Sequence, residues 1–351
     1  MTGGSMAPQG ESGVAGRAPT GWRPLGDRPA APGEAMRGRG AAGIGGSRLR
    51  VPTRPRGLGI AVPDQVVTNA AIAARLGISE DWIVSRTGIR ERRWLRPEES
   101  LADLATAAAE RALDGIRPDL VIVATCSPDD LIPALAPVVA ERVGAGAGLD
   151  LGAACTGFLA GLQIAAGQIE AGRAQSVLVV GAEALSRMLD LDDRGTAAIF
   201  GDGAGALLLD ADGPRLGPVV LRSESQRDLL FATRASGLVE MVGQEVFKHA
   251  VARMTEATHA ALAATDTTLD EIDLFVYHQA NSRIVRAVGQ RLGLDPAKVV
   301  DCIETYGNVS AASLPLALAT ARDDGRLVAD SRVLLSAFGA GFVWGAAVLE
   351  W

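Results

Sequence analysis

The sequence predicts an α/β protein of layered strands and helices, and three observations predict it. From Leu58 onward short apolar runs alternate with Ala-rich helical stretches, the pattern of a layered α/β core. Hydrophobic residues make up 48% of the 351-residue chain and aromatics only 4%, so that core is built of Ala, Val, Leu and Ile. The 42 glycines fall at nearly every junction and imply tight turns and close backbone approaches. A chain of this length holds one large domain or two fused ones, and a duplicated or two-lobed arrangement fits best.

Taken in order, residues 1–50 are rich in Gly, Pro, Arg and Ala with no apolar period, which predicts a disordered extension. Its scattered arginines fit a solvated tail better than a targeting signal. Helices are then expected at 69–76 and 100–113, a strand at 119–126 and a helix at 155–171. Strands follow at 176–183 and 204–211, a helix at 243–264, a strand at 274–278, helices at 282–292 and 313–323, and strands at 332–338 and 345–351. FGDGAGALLLD (200–210) and FGAGFVWGAAVLEW (338–351) each turn through glycines into an apolar strand. That echo is either an internal duplication or a common turn used twice.

Several functions are disfavoured by composition. A formal net charge of -7 and few aromatics provide neither a field for phosphate backbones nor stacking platforms, so no nucleic-acid partner is expected. Cys126, Cys155 and Cys302 lie far apart without a CxxC pair, and the three histidines show no HExxH spacing, so neither a disulfide framework nor a metal site is expected. No stretch reads as a membrane span or a signal peptide. The expected location is the cytoplasm.

Cys155 sits where small residues meet a strong helical pattern with Phe158, Leu159, Leu162, Ile164, Ala165 and Ile169 on its buried face. A cysteine at such a corner receives the positive end of the helix dipole, which stabilises a thiolate. It is also an ordinary place for a small buried hydrophobe, the reading favoured for Cys126 and Cys302. His278 ends the apolar run LFVYH, where α/β proteins present reacting groups, although a satisfied core histidine looks the same. His249 and His259 read as residues of solvated helix faces. Asn308, in ETYGNVSAAS, is either a turn residue or an amide donor to a carbonyl gaining charge. The FGAGF loop (338–342) offers backbone N–H groups to the same atom.

Together the segments DWIVSRTGIRERRW (81–94), AACTGF (153–158), DRGTAAIFGDGAGA (193–206), MVGQEVFKHAV (241–251), HQANSRI (278–284), YGNVSAASLPLAL (306–318) and FGAGFVWGAA (338–347) resemble the beta-ketoacyl-acyl-carrier-protein synthase III family of the thiolase superfamily. The resemblance covers essentially everything after the extension. It implies a thiolase-like five-layered α-β-α-β-α fold of two duplicated halves, residues 51–215 and 216–351, and a homodimer. Cys155, His278 and Asn308 would be catalytic, with the backbone N–H groups of Cys155 and Ala340 as oxyanion hole. Trp82, Arg86, Arg194, Gly243, Asn281 and Phe338 would bind substrate, and Gln279, Ala280, Asn281, Ser282 and Arg283 would meet the carrier protein. The reaction implied joins an acyl-CoA primer to malonyl-acyl carrier protein with loss of CO2, and CoA thioester is its substrate rather than a cofactor.

Two departures bear on the primer. LIPALAP (131–137) carries Ile132, Ala134 and Leu135 where the family often has an aromatic followed by Pro and small hydroxyl residues, and the segment between Leu221 and Met241 is short. They leave open fatty acid or polyketide priming, acyl transfer to an alcohol or amine, and a non-catalytic acyl-CoA-binding subunit. A degradative thiolase is disfavoured, because SAFGAGF offers no second cysteine.

Overall fold

Strands buried on both faces must be covered on both sides, and that requirement organises the chain. The computed structural model describes residues 53–212 and 215–351, so the extension predicted for residues 1–50 lies outside them. The elements are β1 (Arg54–Ala61), β2 (Val66–Thr68), α1 (Asn69–Leu76), α2 (Glu80–Thr87), β3 (Glu91–Arg93), α3 (Leu101–Ala112), β4 (Leu120–Ala124), α4 (Ala136–Val143), β5 (Ala147–Leu151), α5 (Gly157–Glu170), β6 (Ser176–Ala184) and β7 (Asp202–Asp210). They continue with β8 (Val220–Gln226), β9 (Leu230–Ala232), β10 (Val239–Met241), α6 (Gly243–Thr265), β11 (Leu274–Tyr277), α7 (Ser282–Leu292), α8 (Ile303–Tyr306), α9 (Ser313–Asp323), β12 (Arg332–Gly339) and β13 (Gly341–Glu350).

One sheet runs β1-β7-β6-β4-β5 and the other β8-β13-β12-β11. Both repeat one pairing pattern: antiparallel, antiparallel, then parallel. A lone parallel bridge between Phe275 and Val299 occupies the place that β5 holds in the first sheet. The echo between the glycine-rich turns therefore reflects a duplication. Layers stack as α3 and α4, first sheet, α5 and α9, second sheet, then α6 and α7, which is the five-layered thiolase-like fold.

Alternation along each strand sends neighbours to different layers. Val177 and Val179 of β6 join the central core with α5 and α9, while Leu178 and Val180 join the outer core against α3 and α4. In β12, Val333 and Leu335 face the centre, and Leu334 packs outward with Ile284 and Val288 of α7. Where a helix crosses at backbone distance the strand needs glycine: a Cβ on Gly59 of β1 would stand 2.3 Å from the Ala108 carbonyl oxygen of α3.

Candidate active site

The chain enters α5 through a tight turn, Ala154–Thr156, with Ala154 at φ 44°. This turn presents Cys155 at the N-terminus of a 14-residue helix, as the sequence suggested. Its protonation differs from the expectation. Burial pushes the Cys155 thiol up to about 12, against an opposing hydrogen bond from Ser310, so the group is a thiol at rest.

His278 follows β11 and is 1% exposed, its backbone N–H donating to the Ser336 carbonyl at 2.8 Å. Nδ1 has no hydrogen-bond partner among the described residues, and burial lowers the imidazole to about 3. It is therefore neutral near pH 7. Because the unfolded chain binds a proton at about 6.5 and the folded one does not, the stability this group contributes is complete above that pH and is lost as pH falls toward about 3. His278→Gln is accordingly expected to gain about 2 kcal/mol on the wild type between pH 7 and pH 5, read as the difference between their urea unfolding curves.

Asn308 is held by backbone on both sides: its N–H donates to Ile199 O at 2.9 Å and its carbonyl accepts from Gly201 at 3.0 Å. Its side-chain Oδ1 accepts the Ser310 N–H at 2.9 Å, which leaves the amide nitrogen as the free donor. Beneath this loop lies Arg92, fully buried, bonded to Val67 O, Asn69 Oδ1 and Ala198 O, and lowered to about 10 by burial.

Cys155, His278 and Asn308 line one cavity of about 890 Å³ together with Trp82, Arg86, Arg194, Gly243, Ala280, Asn281, Arg283 and Phe338. Arg86, Arg194, Lys248 and Arg283 are exposed, which marks the mouth, while the three proposed reacting groups are buried at the far end. The Arg86 guanidinium stacks on Trp82 at 4.2 Å, and Arg283 lies over Phe247 at 5.8 Å. A second cavity of about 230 Å³ opens from Cys155 and is walled by Leu185, Met188, Phe200, Leu230, Phe231, Val239 and Ala340. The short segment before Met241 thus forms its wall as the hairpin β9–β10.

Four sequence expectations need correction. Gln279 and Ser282 cannot meet a carrier protein: they are 1% and 3% exposed, Gln279 bonding Tyr277 O, Val300 O and the Cys302 N–H, and Ser282 bonding Asp301. Cys126 is not a plain hydrophobe, since it lines the second cavity with its sulfur 3.3 Å from Glu183. His249 is half-buried with its ring 5.1 Å from that of Phe342. Leu131 and Ile132 are 75% and 90% exposed and line neither cavity of the single chain. Asn281 lines the main cavity as expected, yet its amide is engaged in capping α7 and in bonding Arg86 O.

Sequence reasoning missed Glu183. A carboxylate at the end of an otherwise apolar, nine-residue buried strand was the available signal, because buried glutamates require partners.

A duplicated α/β fold that brings a helix-end cysteine, a buried neutral histidine and a backbone-clamped asparagine to one tunnel defines a thiolase-fold enzyme of the condensing class. Comparisons with known proteins narrow this. Residues 149–225 match the model for 3-oxoacyl-[acyl-carrier-protein] synthase III, and residues 262–351 the model for its C-terminal part. Beta-ketoacyl-[acyl-carrier-protein] synthase III of Agrobacterium fabrum is 44% identical over 317 residues, covering 84% of this chain and 98% of the relative. That of Granulibacter bethesdensis is 45% identical over 316 residues, with the same coverage. Among solved structures, the synthase III of Pseudomonas aeruginosa superposes with a TM-score of 0.82 at 40% identity, covering 85% of this chain and 98% of that one. The priming beta-ketosynthase of the R1128 polyketide pathway superposes at 0.81 with 35% identity, covering 88% and 99%. The chain belongs to the beta-ketoacyl-[acyl-carrier-protein] synthase III family.

Proposed function

We propose that this enzyme condenses an acyl-CoA primer with malonyl-acyl carrier protein to give a 3-oxoacyl-carrier protein. The observation that carries the reading is the position of Cys155 at the meeting point of both cavities, with His278 and Asn308 lining the larger. In the first half-reaction Cys155 attacks the acyl thioester while its own N–H and that of Ala340 hold the oxyanion. The acyl group then occupies the apolar second cavity as CoA leaves. In the second, Asn308 and His278 donate to the malonyl thioester carbonyl, stabilising the enolate as CO2 departs, and the carbanion attacks the acyl-cysteine. A neutral histidine suits that donor role. The thioester acidifies the α-carbon and decarboxylation generates the nucleophile, so the reaction as written needs no metal or redox cofactor.

Although the chain is acidic overall, Arg86, Arg194, Lys248 and Arg283 make the tunnel mouth cationic, which fits an anionic CoA and an acidic carrier protein. Trp82 and Arg194 face the adenine in this reading, and Arg283, Ala280 and Asn281 the carrier. The exposed Leu131 and Ile132 form an apolar tip that a second copy of the chain covers in a homodimer. Among the described residues no helix is long and apolar enough to cross a membrane.

Mixing the enzyme with an acyl-CoA and malonyl-carrier protein is expected to release CO2 and form a 3-oxoacyl product. Cysteine acylation without CO2 release would mean acyl transfer instead. Asn308→Ala is expected to keep Cys155 acylation but lower CO2 release by on the order of 10² to 10³, the usual loss for an oxyanion donor.

A further inference from the structure

Asn308 is clamped by a strip of chain, residues 198–201, whose polar groups point alternately to two sides. On one side the Ile199 carbonyl accepts the Asn308 N–H at 2.9 Å, and the Gly201 N–H donates to the Asn308 carbonyl at 3.0 Å. On the other, the Ala198 carbonyl accepts from the Arg92 guanidinium at 2.7 Å and the Phe200 carbonyl from the Trp94 indole N–H at 3.0 Å. Residues two apart, in β3 and just beyond it, therefore grip carbonyls two apart in the strip. The Leu95 N–H extends the series to the Asp202 carboxylate at 2.8 Å.

The reaction described above gives Arg92 and Trp94 no work. A buried guanidinium among neutral acceptors is a poor source of stability, and Arg92 is 0% exposed, with Nε lacking a hydrogen-bond partner among the described residues. Its stem instead fills the space beneath the clamp. A Cβ on Gly201 would stand 3.2 Å from the Arg92 Cβ, and one on Gly307, next to Asn308, 3.3 Å from it. The same two glycines keep the strip and the Asn308 loop at backbone distance. A Cβ on Gly201 would meet the Tyr306 carbonyl oxygen at 2.3 Å, and one on Gly307 that of Ile199 at 2.9 Å. Trp94 is half-buried against the cluster of Leu185, Leu189, Phe200 and Val239, which fixes the side from which its N–H reaches the Phe200 carbonyl.

We propose that Arg92 and Trp94 are positioning residues for Asn308: they fix the strip 198–201 and thereby aim the Asn308 amide at the malonyl thioester carbonyl. The inference rests on the donor role given to Asn308 above. Its consequence is directional. Acylation of Cys155 makes no use of the Asn308 amide in that reaction, whereas enolate formation does, so loosening the strip slows the second half-reaction and spares the first.

The test is Trp94→Phe, which removes one N–H and retains an aromatic ring, with Arg92→Lys as a second variant that keeps the charge and loses the fork. Once thermal melts confirm folding, acylation of Cys155 by acetyl-CoA is followed by mass spectrometry, and CO2 release from malonyl-carrier protein is measured beside it. Both variants are expected to acylate at the wild-type rate and to release CO2 about tenfold more slowly, short of the roughly hundredfold cost of a misplacement by ~1 Å. In an Asn308→Ala background, Trp94→Phe is expected to cause no further loss, because the group it positions is gone. A merely structural role gives the opposite: losses that multiply in the double variant, or acylation and CO2 release falling together. Either result, or CO2 release at the wild-type rate in both variants, overturns the proposal. A wild type that is acylated but releases no CO2 overturns instead the condensing reading, and the role of Asn308 with it.

Discussion

Cys155→Ala is expected to abolish formation of the acyl-enzyme and to lower condensation by on the order of 10⁴ to 10⁶, the loss seen when a covalent nucleophile is deleted. The size follows from the site's construction. Cys155, with Phe200 and Leu230, lines both the tunnel proposed to admit the donor and the apolar cavity proposed to store the acyl group. Neither Cys126, engaged with Glu183, nor Cys302, in the core beside Gln279, lies where it could substitute. Stability should move by only about 1 kcal/mol, since one sulfur is removed from a position already open to a cavity. Mass spectrometry after mixing with an acyl-CoA, beside a thermal melt, checks both statements. An acyl adduct retained on the Ala variant would place the nucleophile elsewhere.

Much of this site was legible in the sequence because its chemistry-bearing residues sit at the ends of regular elements. LFVYH reads as a strand ending in histidine, and the helical pattern after Cys155 is strong enough to place the cysteine at its start. The twelve strands and helices expected from periodicity all form, most within two residues of their predicted ends. What stayed hidden has physical causes. In β1, Gly57 and Gly59 stand where an apolar pattern would appear, because α3 lies against the strand backbone. The edge strand β5 is half-exposed and carries Asp150, so neither alternation nor an apolar run marks it. The pairs that complete the site, Glu183 with Ser310 and Arg92 with the Asn308 loop, are distant in sequence and meet only because the duplicated halves face each other. The burial that pushes the Cys155 thiol up is likewise a product of tertiary packing and left no mark in the local sequence.

That facing of the halves predicts the second large effect, in Gly339→Ala. Gly339 ends β12, and a Cβ there would stand 2.8 Å from the Cys155 backbone nitrogen and 3.1 Å from that of Thr156. The strand is held against retreat by β13, which pairs with it along its length and opposes Val343 to Gly339, and by β11 as far as Ser336. The turn carrying Cys155 must move instead, and it is tied to β13 by the Thr156 hydroxyl, which donates to Val343 O at 2.8 Å. Overpacking of this kind costs about 1 to 3 kcal/mol, while displacing a nucleophile by even ~1 Å costs on the order of 10² in rate. Gly339→Ala is thus expected to fold with a lowered melting temperature and to acylate Cys155 about a hundredfold more slowly, although every proposed catalytic side chain is intact. Gly77→Ala is the control: its φ of 63° strains the substitution, but no atom lies within 4 Å of the added Cβ, so stability should fall while acylation does not. Equal acylation rates in the two variants would show that the approach of β12 to the cysteine turn does not set the position of the thiol.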